Sequence, residues 1–288
     1  MSIKTDIKTP ENTLNFMKYV EIENDTRYPA VTGGQGQGVF NKSAVLVHQV
    51  DPFNTGIGVG TGGQSYVEKF GANLEVGTDL ETIWETGGIY QYLTTASVVS
   101  AVSDENGDSP TGSGARSIEL QGLDANYQEI TETISLNSTS TQEFIRIYRA
   151  LVATTGSTGT NEGNIDIIAG SNIIISIGTH GTGSNKEGFG QSQTSVYTVP
   201  AGKTGYITQW TIGTGDYSKA IHAYLKVSET HNGNILRTKD VMFLNSHAVK
   251  DYKIPLKVPE RSDIEVRAFN SATGTPISTT YNVILVDN

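Results

Sequence analysis

From about residue 90 the chain alternates apolar and polar residues with a period of two, in short runs separated by turn formers. The run Ser117-Ile118-Glu119-Leu120-Gln121 is the cleanest instance, and Tyr92–Val102, Ile130–Leu136, Phe144–Val152, Ile165–Ile168 and Ile173–Ile177 follow the same rule. Such alternation buries one face of a strand and wets the other. After a glycine-bearing stretch, His180–Gln191, it resumes at Val196–Val199, turns at Pro200-Ala201-Gly202, and continues through Tyr206–Ile212, Ala220–Val227, Ile235–Leu244, Val249–Ile254, Ile264–Ala268 and Thr280–Val286. About seven short strands in a hundred residues is the size of one β-sandwich. No segment carries a helical period of ordinary length, which argues against the crossover helices of a parallel α/β fold. The pattern predicts an all-β protein: tandem antiparallel β-sandwich or jelly-roll domains over 76–185 and 186–288.

Residues 1–75 differ. Two glycine-dense stretches, Gly33–Gly38 and Gly56–Gly63, surround the apolar island Ala44–Val47. Glycine loses the most backbone freedom on folding, so this segment is poorly suited to a core of its own. It reads as a Gly-rich N-terminal arm that orders against another surface, with Phe40, Val45, Val47 and Phe53 as its apolar anchors.

Composition sharpens the picture. In 288 residues there are 32 Gly, 35 Thr, 24 Ser and no Cys. The absence of Cys removes disulfides, thiolate zinc and iron–sulfur sites and cysteine nucleophiles from consideration. The net charge of −10 is unevenly spread: residues 76–185 hold three basic groups, Arg116, Arg146 and Arg149, against thirteen acidic ones, while the flanking segments nearly cancel. That step marks a change of module. An acidic chain with a pI near 5 is unsuited to direct nucleic-acid binding, which relies on clustered Lys and Arg. No apolar run approaches the length of a membrane span, and the first ten residues carry no apolar signal core.

Candidate chemistry is sparse. Gly58–Gly63 matches a dinucleotide glycine motif by letter, without the strand before it or the helix after it that give the motif its function. Asp104, Asn106 and Asp108 have the alternate spacing of a calcium loop, but Ser109 and Ala115 stand where that loop needs Gly and Glu, so a turn explains them as well. The five histidines, His48, His180, His222, His231 and His247, show no ligand spacing. Glu129 with Glu132, and Asp263 with Glu265, are carboxylate pairs that could serve acid–base chemistry or lie on an exposed strand face. Trp84, Tyr90 and Tyr92, or Tyr197, Tyr206, Trp210 and Tyr217, could stack on sugar rings or fill cores. No catalytic residue and no cofactor is indicated.

Several stretches carry a resemblance. Val199-Pro200-Ala201-Gly202-Lys203-Thr204 with Ile207–Ile212, Ile254-Pro255, Arg261–Ala268, Glu81-Thr82-Ile83-Trp84 with Gly87-Gly88, Gly114-Ala115-Arg116, Gly122–Tyr127 and Arg146–Ala150 resemble structural proteins of tailed bacteriophages, particularly aquatic ones. The resemblance covers about 76–288 and rests on turns and strands, so it transfers no functional residue. It implies a non-enzymatic virion component, made in the host cytoplasm, that assembles with itself, as a trimer in phage appendages, and with other virion proteins. Head decoration or head attachment is the first expectation; a tail, collar or baseplate part touching a host glycan is the alternative. Outside that class stands a free carbohydrate-binding module.

Overall fold

A computed structural model of the chain describes residues 18–22, 26–30, 63–181, 186–229, 235–272 and 274–288, the first two spans as backbone only. The chain divides into two units, Met1–Gln49 and Val50–Asn288. In the first, β1 (Lys18–Ile22) and β2 (Thr26–Ala30) pair antiparallel, Lys18 opposite Ala30. The anchors Phe40, Val45, Val47 and Phe53 lie outside the described residues.

In the second unit every ladder between strands is antiparallel, and the described residues contain no helix. It opens with β3 (Gln64–Val76) and the two-residue β4 (Glu81–Thr82). Eight strands follow: β5 (Ser100–Ser103), β6 (Ala115–Leu123), β7 (Glu129–Ser135), β8 (Arg146–Thr155), β9 (Ile165–Ala169), β10 (Asn172–Ile177), β11 (Thr179–His180) and β12 (Glu187–Gly188). The last seven are β13 (Val196–Thr198), β14 (Lys203–Thr214), β15 (Ile221–Glu229), β16 (Ile235–Leu244), β17 (His247–Val258), β18 (Asp263–Asn270) and β19 (Thr275–Asp287).

Two cores result. Sheets β10-β9-β5 and β7-β6-β8 close over Ile118, Leu120, Phe144, Ile147, Ile165, Ile167, Ile175 and Ile177, all at most 1% exposed. The larger sandwich packs the sheet β17-β14-β19-β3 against β13-β18-β15-β16, with β4 also on β18. Trp210, Ile212, Tyr281 and Val283 from the first sheet meet Ala223, Leu225, Ile264 and Val266 from the second. Two of its buried polar ends find partners: Trp210 Nε1 donates to Thr279 Oγ1 at 3.0 Å, and the Tyr281 hydroxyl donates to the Ser195 carbonyl at 3.1 Å.

Strand β14 shows how one extra residue rescues a side chain. Strict alternation from Ile207 would bury Gln209 and expose Trp210. A bulge between Ile207 and Gln209 shifts the phase, and Trp210 and Ile212 enter the core.

The sandwich is discontinuous in sequence. Residues 64–75, read above as the end of the arm, form most of β3 and pair with β19 from Gln64↔Val286 to Thr275↔Val76. The strand escapes pattern reading because its inward positions Lys69, Gly71 and Asn73 are not apolar. Gly71 is required by crowding: a Cβ there would sit 2.4 Å from both the Ile83 carbonyl oxygen and the Ser195 nitrogen. The lobe built from 99–177 is thus an insertion between β4 and β13. Tyr92–Val99, expected to be strand, instead runs across the junction, and the regular strand begins at Ser100.

Candidate functional site at the lobe junction

Strand β18 alternates as its sequence demands. Ile264, Val266 and Ala268 fill the sandwich core, so Asp263, Glu265, Arg267 and Phe269 point outward. The inserted lobe covers the first half of that outer face. Asp263 is 5% and Glu265 0% exposed, which corrects the expectation of an exposed carboxylate face.

Arg146, at the start of β8 in the inserted lobe, forms a fork with Asp263: Nε to Oδ1 at 2.8 Å and Nη2 to Oδ2 at 3.0 Å. Its Nη1 donates to the Leu93 and Ile145 carbonyls, both at 2.8 Å. Thr198 Oγ1 donates to Asp263 Oδ1 at 2.6 Å. The guanidinium lies 4.8 Å from the Tyr92 ring centre and 5.7 Å from that of Tyr127. Glu265 is held by Arg267 Nε and by the Tyr92 hydroxyl at 2.9 Å. Burial pushes the Glu265 carboxyl above its ordinary range, against the opposing pull of Arg267 and Tyr92. With both carboxylates occupied and closed off from solvent, the pair fastens one lobe to the other.

Tyr127 reaches this cluster from the β6–β7 turn in a left-handed conformation, φ 62°, and its carbonyl accepts the Ala201 N–H at 2.8 Å. Arg261, also left-handed at φ 56°, places its guanidinium 6.0 Å from the same ring. Non-glycine residues are uncommon in that region of backbone space, and here both sit where the lobes meet.

A second seam runs along β3. Lys69, 3% exposed, donates to the Tyr148 carbonyl, and Arg149 Nη2 donates to the Glu68 carbonyl at 3.3 Å. Burial, reinforced by Arg149, lowers the Lys69 ammonium to about 7. Glu85 accepts the Gln193 N–H through Oε1, while its Oε2 is buried without a hydrogen-bond partner. Burial raises that carboxyl to about 8.

Beside Glu85 the junction opens into a groove of about 600 Å³ lined by residues of both lobes. Glu75, Glu81, Glu85, Asp104 and Asp166 bring five carboxyl groups to its walls, Leu74, Ile173 and Phe189 give it apolar surface, and among the described residues no Lys, Arg or His lines it. Clefts between lobes are where proteins most often receive ligands.

The calcium-type triplet has a different use. Asp108 is 2% exposed; its Oδ1 accepts the N–H groups of Ala115 and Glu162 at 2.7 and 2.9 Å, and its Oδ2 accepts Gly163 N–H and Ser103 Oγ–H, both at 2.8 Å. Four donors fill the lone-pair directions a cation would need. Asp104 accepts the backbone and side-chain N–H groups of Asn164. These carboxylates staple the loop before β6 to the turn before β9. Among the described residues no group of three or more His, Asp or Glu could hold a metal ion.

The remaining candidates do not converge. Glu129 and Glu132, three apart on one strand, point to opposite faces. Trp84, Tyr90 and Tyr92 pack edge to face at 5.1 and 4.8 Å inside the junction, and Tyr197 and Trp210 are core, so only Tyr217, 76% exposed, stands clear on the surface among the stacking candidates in the second unit besides the half-buried Tyr206. His222 packs between Phe243, which it meets edge-on, and Phe269, His180 lies against Phe189, His247 is exposed, and His48 and His231 are outside the described residues. Sequence reasoning missed Arg146, Lys69 and Glu85. Arg146 left one trace, a lone cation in the apolar run Phe144-Ile145-Arg146-Ile147.

No protein-family model and no curated protein matches the chain. Among solved structures it is weakly similar to the infectious bursal disease virus VP2 subviral particle, at 9% identity over 78% of this chain and 72% of that one, TM-score 0.22. The infectious bursal disease virus Gx strain gives 8% identity, the same coverage of each chain and TM-score 0.22. Scores this low carry no argument about strand arrangement or assembly. Among the described residues no helix is long and apolar enough to cross a membrane.

Proposed function

We propose that this chain is a non-enzymatic structural subunit of a bacteriophage virion that assembles with copies of itself, attached to the head as a decoration protein. The observation that carries the assembly reading is the character of one edge of the sandwich. Of ten large apolar side chains exposed in the described residues, four, Ile235 (55%), Phe243 (69%), Val249 (54%) and Ile254 (85%), fall on the consecutive strands β16 and β17, one in each sheet. Among the described residues both of these strands are terminal in their sheets. Free strand edges with apolar side chains invite a partner. The resemblance of 76–288 to tailed-phage structural proteins supplies the kind of particle, and the glycine-rich arm supplies a second means of reaching a neighbour.

Quantitative mass spectrometry of purified particles carrying this chain tests the reading: hundreds of copies per particle are expected, and a few to dozens would move it to the tail, collar or baseplate. A host-glycan contact there is favoured by one feature, the aromatic row Phe243, His222 and Phe269 on the open half of the outer sheet face, with ring centres 4.9 and 4.7 Å apart. A glycan array probed with the full chain separates that role from a purely structural one.

A further inference from the structure

The β17 edge is built as a knuckle. Opposite Ile207 and Gln209 of β14 stand Leu256 and Asp251, so the single residue Thr208 faces the four residues Tyr252-Lys253-Ile254-Pro255. The surplus bulges outward and leaves Ile254 85% exposed, the highest exposure of any large apolar side chain described. Lys250, Lys253 and Lys257 surround it. Lys250 is engaged by Asp240 at 2.7 Å; Lys253 and Lys257 are exposed and make no ion pair among the described residues.

The lobe-junction groove is the converse of this shape. It is concave, lined by five carboxyl groups and, among the described residues, by no basic side chain, includes Leu74, Ile173 and Phe189 in its lining, and holds in its wall the unpartnered Oε2 of Glu85. We infer that the basic knuckle of one copy seats in the acidic groove of the next, with Ile254 against the apolar wall and Lys253 and Lys257 facing the carboxylates. The inference rests on the self-assembly reading above and gives it an interface.

Geometry excludes closure within one chain. Strands β17 and β3 are opposite edges of a four-stranded sheet, three strand spacings or roughly 14 Å apart. The contact is therefore heterologous, and copies joined this way form a ring or an open chain. Complementary charge speeds such docking and makes it sensitive to salt.

The chain has no cysteine, so disulfide trapping has no background. Two full-length variants, Ile254→Cys and Leu74→Cys, both at exposed positions, are oxidised separately and as a mixture at micromolar concentration. The expected result is a linked dimer in the mixture at least tenfold more abundant than in either variant alone. A disulfide needs Cα atoms within about 7 Å, which random encounter rarely supplies. Lys253→Glu with Lys257→Glu should weaken association at least tenfold by light scattering, and the control Tyr217→Asp should leave it unchanged. An Ile254→Cys homodimer formed as readily as the mixed dimer overturns the proposal in favour of edge-to-edge pairing of two β17 strands. Oligomers without the mixed cross-link overturn the interface and leave self-assembly standing. A monomer by light scattering, in unmodified chain, overturns both.

Discussion

The outer face of the β13-β18-β15-β16 sheet has two halves that differ only in what lies above them. Under the inserted lobe, Asp263 and Glu265 are buried, each held by an arginine side chain. Four residues along the same strand, Phe269 joins His222 and Phe243 in an aromatic row that is open enough for Phe243 to be 69% exposed. The distribution inverts the usual one, with charge inside and hydrocarbon outside. Alternation along a strand therefore fixes which side chains leave the core, and the lobe inserted between β4 and β13 decides which of those leave water.

Breaking the covered half should cost most. Arg146→Ala leaves the buried Asp263 carboxyl without its guanidinium partner, and a loss of about 3–5 kcal/mol in denaturant unfolding is expected. The double variant Arg146→Met with Asp263→Leu should recover most of that loss; a double variant as unstable as the single would show that the pair contributes more than mutual neutralisation. Asp108→Ala comes next, with about 2–3 kcal/mol lost as three backbone N–H groups lose their acceptor. Added calcium should leave the melting temperature of the unmodified chain unchanged, and a rise of several degrees would restore the metal reading of Asp104, Asn106 and Asp108.

The Lys69–Glu85 seam sharpens the comparison through pH. Glu85, raised from 4.5 to about 8, holds a proton in the folded state that the unfolded chain releases, so its stabilising contribution is lost as pH rises through that interval. Lys69, lowered from 10.5 to about 7, does the reverse: the unfolded chain binds the extra proton, and stability recovers as pH rises from 7 towards 10.5. A stability minimum near pH 7–8 follows. Glu85→Gln should remove the decline between pH 5 and 7, whose slope is at most about 1.4 kcal/mol per pH unit. A decline unchanged in that variant would place the titrating group elsewhere. The open half should respond least, with Phe243→Ala changing stability by no more than about 0.5 kcal/mol. A larger loss would show that the aromatic row supports the sheet.

What the sequence made legible follows from the same division. The all-β class, the seven strands β13–β19 and both cores were readable because Ile118, Leu120, Ile264 and Val266 alternate with polar neighbours. Strand β3 was not, because burial there falls on Lys69, Gly71 and Asn73, chosen for contacts with Tyr148, Ile83 and Glu81 that no local pattern encodes. The candidate site was less legible still. Asp263 and Glu265 were visible as a pair, but their partners Arg146 and Tyr92 lie 117 and 173 residues away along the chain. Thr208 is the extra residue that lets Trp210 into the core, the bulge that lifts Ile254 out of the edge lies opposite it, and single-strand periodicity does not reveal either.

The pairing of β3 with β19 joins Gln64 to Val286, nearly the full length of the described chain. Contacts this distant in sequence close late and slow a fold. During synthesis the inserted lobe, whose strands all lie within 100–188, has all its strand partners long before β19 is made. The sandwich does not: its sheet stays one strand short, and β3 stays unpaired, until β19 has been made. The edge that carries the knuckle and the groove beside β3 therefore mature together once β19 is in place, so a chain lacking β19 would present neither, and only copies with the closed sandwich would be competent to join.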